Sequence, residues 1–330
     1  MKDKIAGTIY GMALGDAMGM PSELWSRRKV KSYFGKITNF LDGPKENIVA
    51  ANYKRGQFTD DTSQALAILN SLEDTHFTPN KEDIAIELLD WADRVNAFEN
   101  NMLGPTSKAA LMSYRKNENP WEIIKNAQSN GSAMRIAPIG CLFSSQQKKE
   151  LTNYVAKITK TTHGSDVTIA GAAMIAMAVS SAMENNNFSK IVKDSYEVCK
   201  YGLKLGNETI SPSLIERTKL GVEFAKNYKQ NDEAFLNKLY EVIGAGVGIT
   251  EAVPAALSIA YYAQEPNKCA LLCANLGGDT DTIGAMATAI CGAYTGYSSI
   301  NIEYIEVLNS SNDVDFMYYV NLIDKYRNEI

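Results

Sequence analysis

A chain of 330 residues, 45% hydrophobic and 22% charged, is long enough to bury a large core and too apolar to be disordered. Its net charge of -5 argues against a broad surface for nucleic acid or an anionic membrane, and it favours a small ligand. Five cysteines without C-x-x-C spacing and only two histidines disfavour a disulfide framework and a zinc site, so we expect a reducing, cytoplasmic environment.

The N-terminal residues 1–19 combine a basic start with an apolar run. Asp16 interrupts that run and no clear cleavage site follows, which disfavours a signal peptide. The apolar stretches 168–183 and 282–297 are shorter than the ~20 residues that a membrane span requires, and both are rich in small residues. We therefore predict that both are buried helices.

Apolar residues recur at spacings of three and four along most of the chain, which predicts α-helices, and no alternating strand pattern is convincing. Dipeptides such as Gly43-Pro44, Asn130-Gly131 and Gly277-Gly278 mark turns between these segments. No linker or repeat divides the chain, so the prediction is an all-α, compact, multi-helix single domain over residues 1–330. The predicted helices span 5–20, 63–72, 84–97, 121–127, 151–161, 167–183, 188–204, 214–226, 235–243, 253–262 and 283–294.

Two acidic tetrapeptides, Thr59-Asp60-Asp61-Thr62 and Asp279-Thr280-Asp281-Thr282, each stand at the start of a predicted helix. Residues two apart on a helix point to different sides, so the second pair of acids can converge only before the helix or at its N-cap. Carboxylates and hydroxyls are hard oxygen ligands that Mg²⁺, Mn²⁺ or Ca²⁺ prefers. Four carboxylates would neutralise two divalent cations, which predicts one central dinuclear metal site.

Each tetrapeptide also has a purely structural interpretation, because Thr and Asp are preferred N-cap residues. A cap does not need a doubled acidic cluster, however, and the accumulated like charge favours the metal site. The D-x-D-x-T/V signature of aspartate-nucleophile phosphatases is a second alternative. That signature follows a buried strand near the N-terminus, whereas here the pattern precedes a helix near the C-terminus.

Three further motifs are ambiguous on their own. The glycines of residues 244–248 lack the context of a dinucleotide fingerprint and fit a loop before a helix that begins near residues 251–254. Asn130-Gly131-Ser132 resembles a tight turn that opens a helix, with amides for a phosphate and Arg135 nearby. His163 lies at a helix–helix junction, where a lone histidine is more often a packed polar residue than a catalyst.

Taken together, these motifs resemble the ADP-ribosylglycohydrolase family over most of the chain. The matching blocks occur in the order that the family has: LGDAMGMPSE at 14–23, FTDDT at 58–62, NGSAMR at 130–135, TH at 162–163, GVGITEAVP at 246–254 and GGDTDTIG at 277–284. The resemblance implies an all-α fold, as the periodicity independently predicts.

The resemblance also implies roles for residues at the matching positions. It implies that two Mg²⁺ or Mn²⁺ ions are the cofactors. It implies that the ligands of these ions are Thr59, Asp60, Asp61, Asp279, Asp281 and Thr282. It implies a substrate-binding set of Ser129, Asn130, Gly131, Ser132, Ala133, Met134, Arg135, His163 and Val247. Our hypothesis is that Glu23 positions the scissile group or exchanges protons with it, and that Asp61 or Asp281 helps to activate water at the metal centre.

The implied activity is metal-dependent hydrolysis of the glycosidic bond between ADP-ribose and an acceptor. The acceptor is a protein side chain or a small molecule, O-linked or N-linked, and the block at residues 246–254 looks closer to members that act on O-linked ADP-ribose. Two alternatives stay open: a hydrolase of the same fold for another small ribosyl or nucleoside-like metabolite, and a non-catalytic ADP-ribose-binding protein. The sequence does not determine the oligomeric state.

Overall fold

A computed structural model describes residues 1–100 and 102–329, and within these ranges the chain forms helices joined by turns, with β-structure limited to isolated bridges. The α-helices are α1 (Lys2–Gly19), α2 (Arg27–Phe34), α3 (Asp60–Asp74), α4 (Lys81–Arg94), α5 (Pro105–Arg115), α6 (Trp121–Ile124), α7 (Lys148–Thr159), α8 (Asp166–Met183), α9 (Phe188–Gly202), α10 (Leu214–Asn227), α11 (Asp232–Val242), α12 (Ile249–Ala263), α13 (Pro266–Ala274), α14 (Thr280–Thr295), α15 (Ile302–Ser311) and α16 (Phe316–Glu329). Short 3-10 helices cover Met20–Ser22, Ala137–Leu142 and Tyr297–Ser299.

Helices α1, α8, α12 and α14 form the buried centre of the molecule. α8 is buried over its whole length, and it contacts α7, α9, α12 and α14. Length and composition alone would allow α8 to cross a membrane, but its entire apolar window lies inside the fold, as a core helix does. One connected apolar core includes side chains from nearly every helix. The all-α, single-domain prediction is therefore confirmed.

Small residues allow α1 and α14 to lie unusually close together. Glycines recur at every fourth position of α1, from residue 7 to residue 19. A Cβ added to Gly15 would stand only 2.0 Å from the carbonyl oxygen of Gly284 on α14. This contact brings Asp16 of α1 beside Asp281 in the first turn of α14, where their carboxylate oxygens lie within 4.8 Å of each other.

Two predictions about local structure are wrong. The segment 121–127 was expected to be helical throughout, but α6 ends at Ile124, whose carbonyl oxygen accepts a hydrogen bond from the Gly164 amide at 2.8 Å instead of continuing the helix. The turn at Asn130 does not open an α-helix. The chain makes successive turns after it and then forms the 3-10 helix Ala137–Leu142. Pro138 lacks an amide hydrogen and disfavours helical conformation in the residue before it, which explains the interruption.

Candidate active site

The first turn of α3 is held by a carboxylate from α1. Thr59 is the N-cap of α3, but its side chain makes no capping hydrogen bond. The Asp16 carboxylate accepts hydrogen bonds instead from the backbone amides of Thr59 (2.8 Å) and Thr62 (3.0 Å) and from both hydroxyls (2.9 and 2.6 Å). Sequence reasoning did not assign Asp16 to the site, although an acid within an apolar helix was a usable signal.

The first turn of α14 is also held by residues that lie outside the helix. Gly278 has φ of +86°, a conformation that favours glycine, and its amide and carbonyl pair with the backbone of Trp25 and Leu24 at 2.7 Å each. Asp279 is the N-cap of α14 without making a capping bond, and its carboxylate accepts a hydrogen bond from the Asn130 side chain at 2.5 Å. The carboxylates at both helix starts are therefore not used as caps.

These helix ends bring the acidic side chains into two groups that share one member. The carboxylate oxygens of Asp16, Asp61 and Asp281 lie within 4.8 Å of one another, and the same holds for Glu23, Asp279 and Asp281. Two oxygens of this cluster, Oδ2 of Asp61 and Oδ1 of Asp281, are buried without any hydrogen-bond partner. Buried carboxylate oxygens without donors are costly, and hard cations satisfy them, so the donor set fits a metal site.

Burial raises the pKa of every acid in the cluster, because the charged form loses its hydration. The pKa rises to about 6 for Asp16, despite its four donors, to about 6 for Asp279 and to about 7 for Asp60. Neighbouring carboxylates add to the effect of burial and hold the pKa well above its ordinary value at three positions: Glu23, Asp61 and Asp281. Divalent cations would remove this repulsion.

The three remaining predicted ligands lie around the cluster. Thr282 donates a hydrogen bond to Asp61 Oδ1 at 3.3 Å, and Thr59 donates one to Asp281 Oδ2 at 3.4 Å. Asp60 stands apart from both groups of acids and accepts a hydrogen bond from the Gln64 side chain at 2.7 Å. Its carboxylate nevertheless faces the cavity above the cluster.

Glu23 follows the 3-10 helix Met20–Ser22 and faces the cluster. Its backbone carbonyl accepts a hydrogen bond from the Asn47 side chain at 2.9 Å, while Ser22 donates to the Thr280 hydroxyl at 3.0 Å. The next residue, Leu24, has a φ of +56°, which is uncommon for a residue with a branched side chain. The backbone around Glu23 is thus fixed from both sides, and its carboxylate is half-buried at the edge of the cavity.

A loop carrying Ser129 and Asn130 forms the opposite wall. Ser129 pairs with Gly248 in an isolated antiparallel bridge, and the Asn130 amide donates to the Val247 carbonyl at 2.9 Å. His163 lies behind this loop, with its two ring nitrogens 2.9 Å from the Ser129 hydroxyl and 2.8 Å from the Thr162 hydroxyl. Burial lowers the pKa of His163 to about 3, assisted by Arg135, so the imidazole is neutral.

Several predicted substrate-binding residues stand behind the cavity wall instead of on it. The Arg135 side chain is 1% exposed, and its guanidinium donates to Gln64 Oε1 and to the Thr162 hydroxyl. Ser132 and Ala133 are also buried, and Ser132 donates to the Thr168 carbonyl at 3.3 Å. Their placement indicates that these side chains support the loop, while its other predicted residues face the cavity: Ser129, Asn130, Gly131, Met134 and Val247.

The cavity has a volume of about 410 Å³, within the range of small-molecule sites. Carboxylates of the cluster form one part of its lining, the loop at 129–131 forms another, and residues 102–107 before and within α5 form a third. A polar ligand in this cavity would contact both the acids and the loop backbone. The arrangement suits a reaction in which charge develops next to the carboxylate cluster.

Comparison with known proteins identifies relatives that align with nearly the whole of this chain. The family model described as ADP-ribosylglycohydrolase matches residues 1–327. YegU, an uncharacterized protein of Escherichia coli (strain K12), is 43% identical and the alignment covers 99% of this chain and 98% of that protein. ADP-ribosylhydrolase ARH3 of Bos taurus is 24% identical, with 95% and 91% covered. A solved structure, described as an ADP-ribosylglycohydrolase-related protein complex, shares the fold with a TM-score of 0.72 at 22% identity, covering 99% and 98%.

Proposed function

The chain belongs to the ADP-ribosylglycohydrolase family and is a hydrolase, and we propose that it cleaves the glycosidic bond between ADP-ribose and an acceptor in a metal-dependent reaction. One observation carries the metal dependence: Asp61 and Asp281 each keep a buried carboxylate oxygen without a donor. These oxygens belong to an acidic cluster on the wall of a cavity whose volume lies in the range of small-molecule sites.

The proposed cofactors are two Mg²⁺ or Mn²⁺ ions. Their proposed ligands are Thr59, Asp60, Asp61, Asp279, Asp281 and Thr282. Asp281 belongs to both groups of carboxylates and would therefore be the central residue of this ligand set. When bound, such ions would supply Lewis acidity and orient ribose hydroxyls beside the bond that breaks. Asp16 takes no ligand role in this proposal, because four donors already occupy its oxygens.

The protein itself would position the substrate between the cluster and the loop. The Asn130 side chain spans this gap, since it faces the cavity and donates to Asp279. Ser129, Gly131 and Val247 provide the cavity wall on which we place the phosphates and ribose of ADP-ribose. Arg135 would act indirectly, because its guanidinium holds Gln64, whose amide in turn donates to Asp60.

Cleavage at the anomeric carbon develops oxocarbenium character and requires a proton for the leaving acceptor. Glu23 is the group we assign to proton exchange with the acceptor, since it faces the cavity and burial beside Asp279 and Asp60 raises its pKa. A carboxyl group with a raised pKa retains a proton that it can donate. Asp61 or Asp281 would accept the proton from the attacking water.

The proposed substrates are ADP-ribosylated proteins or small ADP-ribosyl compounds, and the name of the ARH3 relative supports an ADP-ribosyl substrate. The five cysteines are free thiols, which suits the reducing cytoplasm that we propose as its location.

Calorimetric titration tests this proposal directly. ADP-ribose is titrated into the protein with Mg²⁺ and again with EDTA, and hydrolysis of ADP-ribosylated peptides is followed by mass spectrometry. We expect binding that depends on Mg²⁺ and release of free ADP-ribose. Asp281→Asn should lower kcat/KM by about 100-fold or more, since even outer-shell changes at metal sites cost 10–100-fold.

Asp90→Asn provides the matched control, because Asp90 is an exposed carboxylate of α4 outside the cavity. It should keep full activity and full metal dependence. Full activity in Asp281→Asn would contradict the metal assignment. Binding of ADP-ribose without hydrolysis of any linkage would favour a non-catalytic binding protein, and absence of binding would favour a different ribosyl metabolite.

A further inference from the structure

A second cavity adjoins the candidate active site. It has a volume of about 420 Å³, and Val49 and Met102 line both this cavity and the catalytic one. Phe58 and Ser63 line it as well, and these residues flank the acidic tetrapeptide at the start of α3. A molecule held over the acidic cluster could therefore extend directly into this adjoining cavity.

The described lining of the adjoining cavity carries no ionisable acid or base other than the phenol of Tyr53. Its apolar lining residues are Ile48, Val49, Phe58, Trp91, Val95 and Met102, and its polar side-chain groups are amides, a hydroxyl, the phenol and the Trp91 indole. The charged residues Arg94 and Asp313 line a further groove of about 450 Å³, which shares several lining residues, Trp91 and Val95 among them, with the adjoining cavity and none with the catalytic one. The adjoining cavity thus shares residues with both the active site and the charged groove, but its own described lining carries no charged side chain.

Several polar groups of the adjoining cavity are free to bind a ligand. Among the described residues, the Tyr53 hydroxyl, the Trp91 indole nitrogen and the Asn52 side chain form no hydrogen bond. Asn312, in contrast, accepts from the Phe58 amide and donates to two carbonyls, so it supports the wall. The available groups can both donate and accept, as a hydroxyl- or amide-bearing partner requires.

Tyr53 lines the adjoining cavity but not the catalytic one. Burial raises the pKa of its phenol, and the next largest causes are the carboxylates of Asp60 and Glu23. The neutral Tyr53 hydroxyl is thus one of the groups of the adjoining cavity that a ligand can meet.

Building on the proposed function, we propose that the adjoining cavity is the acceptor subsite, and that it takes an uncharged acceptor joined to ADP-ribose through a hydroxyl oxygen. Tyr53, Trp91 and Asn52 determine the acceptor specificity by hydrogen bonding to it. ADP-ribose itself occupies the catalytic cavity and does not reach these residues.

The absence of acids in the described lining disfavours a guanidinium-linked acceptor. A cation that leaves water for an uncharged cavity loses hydration without gaining a partner, which is costly. The carboxylates of the catalytic cavity would not compensate, because they serve the divalent cations in the proposed function. An uncharged acceptor has no such cost and can use the free hydrogen-bonding groups.

The first test separates acceptor binding from ADP-ribose binding. Tyr53→Phe and Trp91→Phe are compared with Tyr201→Phe, a control that removes a phenol on α9 outside the cavities. We expect all three variants to bind free ADP-ribose with Mg²⁺ like the parent protein. For a serine-linked ADP-ribosyl peptide, kcat/KM should fall about fivefold in each cavity variant, as the loss of one hydrogen bond predicts.

The second test introduces a carboxylate without disturbing the core. Asn52 is exposed at the mouth of the cavity, so Asn52→Asp adds one charge with little change in shape. The ratio of kcat/KM for an arginine-linked over a serine-linked peptide should rise by about threefold, the size of a modest ion pair. Asn227→Asp, on the exposed surface of α10, should leave this ratio unchanged.

The outcomes distinguish this inference from the proposed function. If ADP-ribose fails to bind with Mg²⁺, the proposed function fails and the subsite fails with it. If ADP-ribose binds and peptides are hydrolysed, but the parent prefers arginine-linked peptide or the cavity variants match Tyr201→Phe, the subsite is wrong while the proposed function stands. Equal losses of ADP-ribose affinity and turnover in Tyr53→Phe would also overturn the subsite.

Discussion

Asp281 combines properties that a purely structural carboxylate rarely has. Its side chain is buried, one of its oxygens has no donor, and Asp61, Glu23 and Asp279 surround it. Capping does not explain its position, because the amides at the start of α3 are bonded by Asp16 and the N-cap of α14 is Asp279. Proton uptake or cation binding must offset the repulsion between these groups, and the two compete.

This competition predicts how pH controls stability. The raised pKa values, about 6 for Asp16 and Asp279 and about 7 for Asp60, mean that the metal-free folded state binds more protons than the unfolded state between about pH 4 and 7. The contribution of these acids to the unfolding free energy is full below that window and is lost as the pH rises through it. Cations replace the lost protons, so stabilisation by Mg²⁺ should grow with pH.

Thermal unfolding in EDTA and in Mg²⁺ checks this prediction. The difference in Tm should be near zero at about pH 5 and reach several degrees at about pH 8, since metal binding requires deprotonated carboxylates. Potassium salt at matched ionic strength controls for screening. A difference in Tm that stays constant with pH would contradict a proton-competitive metal site.

Arg135 shows where residue-level reasoning from sequence is incomplete. Its position after Asn130-Gly131-Ser132 suggested contact with a phosphate, yet its guanidinium is buried against Gln64 and Thr162. Asn130 and Gly131 of the motif line the cavity, but the direction of the Arg135 side chain depends on packing between α3 and the residues around Thr162. That packing is set by contacts distant in sequence.

A conservative substitution tests the supporting role of Arg135. Lysine keeps the charge but cannot span Gln64 and Thr162 with a planar fork, so Arg135→Lys should lower the free energy of unfolding by about 2 kcal/mol. ADP-ribose affinity should fall less than it does in Asn130→Ala, because Asn130 faces the cavity. Denaturant unfolding and calorimetry measure the two effects. A large loss of affinity with unchanged stability would favour direct phosphate binding by Arg135.

At the level of helices, the sequence predicted the buried elements best. The long apolar stretches became α1, α8, α12 and α14, because their composition excludes exposure. The sequence did not predict five helices: α2, α5, α13, α15 and α16. Most of them either carry many polar residues on an exposed face or begin at a proline, which is also typical of turns. Their helical state depends on docking against the core more than on local pattern.

Contact between α1 and α14 determines whether the acidic cluster forms. A Cβ at Gly15 would overlap the Gly284 carbonyl group, with the nearest atoms at 2.0 and 2.3 Å, so Gly15→Ala must separate the helices. We expect a loss of about 3 kcal/mol in stability, at the upper end of overpacking effects. The stabilisation by Mg²⁺ should fall as well, because Asp16 adjoins Gly15 and holds the start of α3.

Gly104→Ala serves as the control for this helix-contact prediction. A Cβ at Gly104 would meet no atom within 4 Å, so the same chemical change should cost only about 1 kcal/mol, the loss of glycine's preference over alanine at this N-cap position. Denaturant unfolding with and without Mg²⁺ gives both quantities. If Gly15→Ala matched Gly104→Ala, the close approach of α1 and α14 would not be required for the fold.

At the scale of the whole molecule, the proposed metal binding would act on a limited set of helices. The cluster joins α1 and the adjacent segment around Glu23 to α3 and α14, which lie elsewhere in the sequence, whereas α8 contributes none of the cluster's acids. Removing cations should therefore weaken the starts of α3 and α14, where like charges accumulate, and leave α8 protected. Local opening of this kind has a lower free energy than global unfolding.

Hydrogen exchange followed by mass spectrometry can resolve this difference across the molecule. Chelation by EDTA should accelerate amide exchange in residues 20–25, 59–64 and 278–283, while exchange in α8 stays slow because the helix is buried along its whole length. Asp281→Asn should make the exchange pattern insensitive to EDTA. If chelation accelerated exchange equally in α8 and at the starts of α3 and α14, metal binding would act on global stability alone. The acidic cluster would then not be the local link that joins these helices.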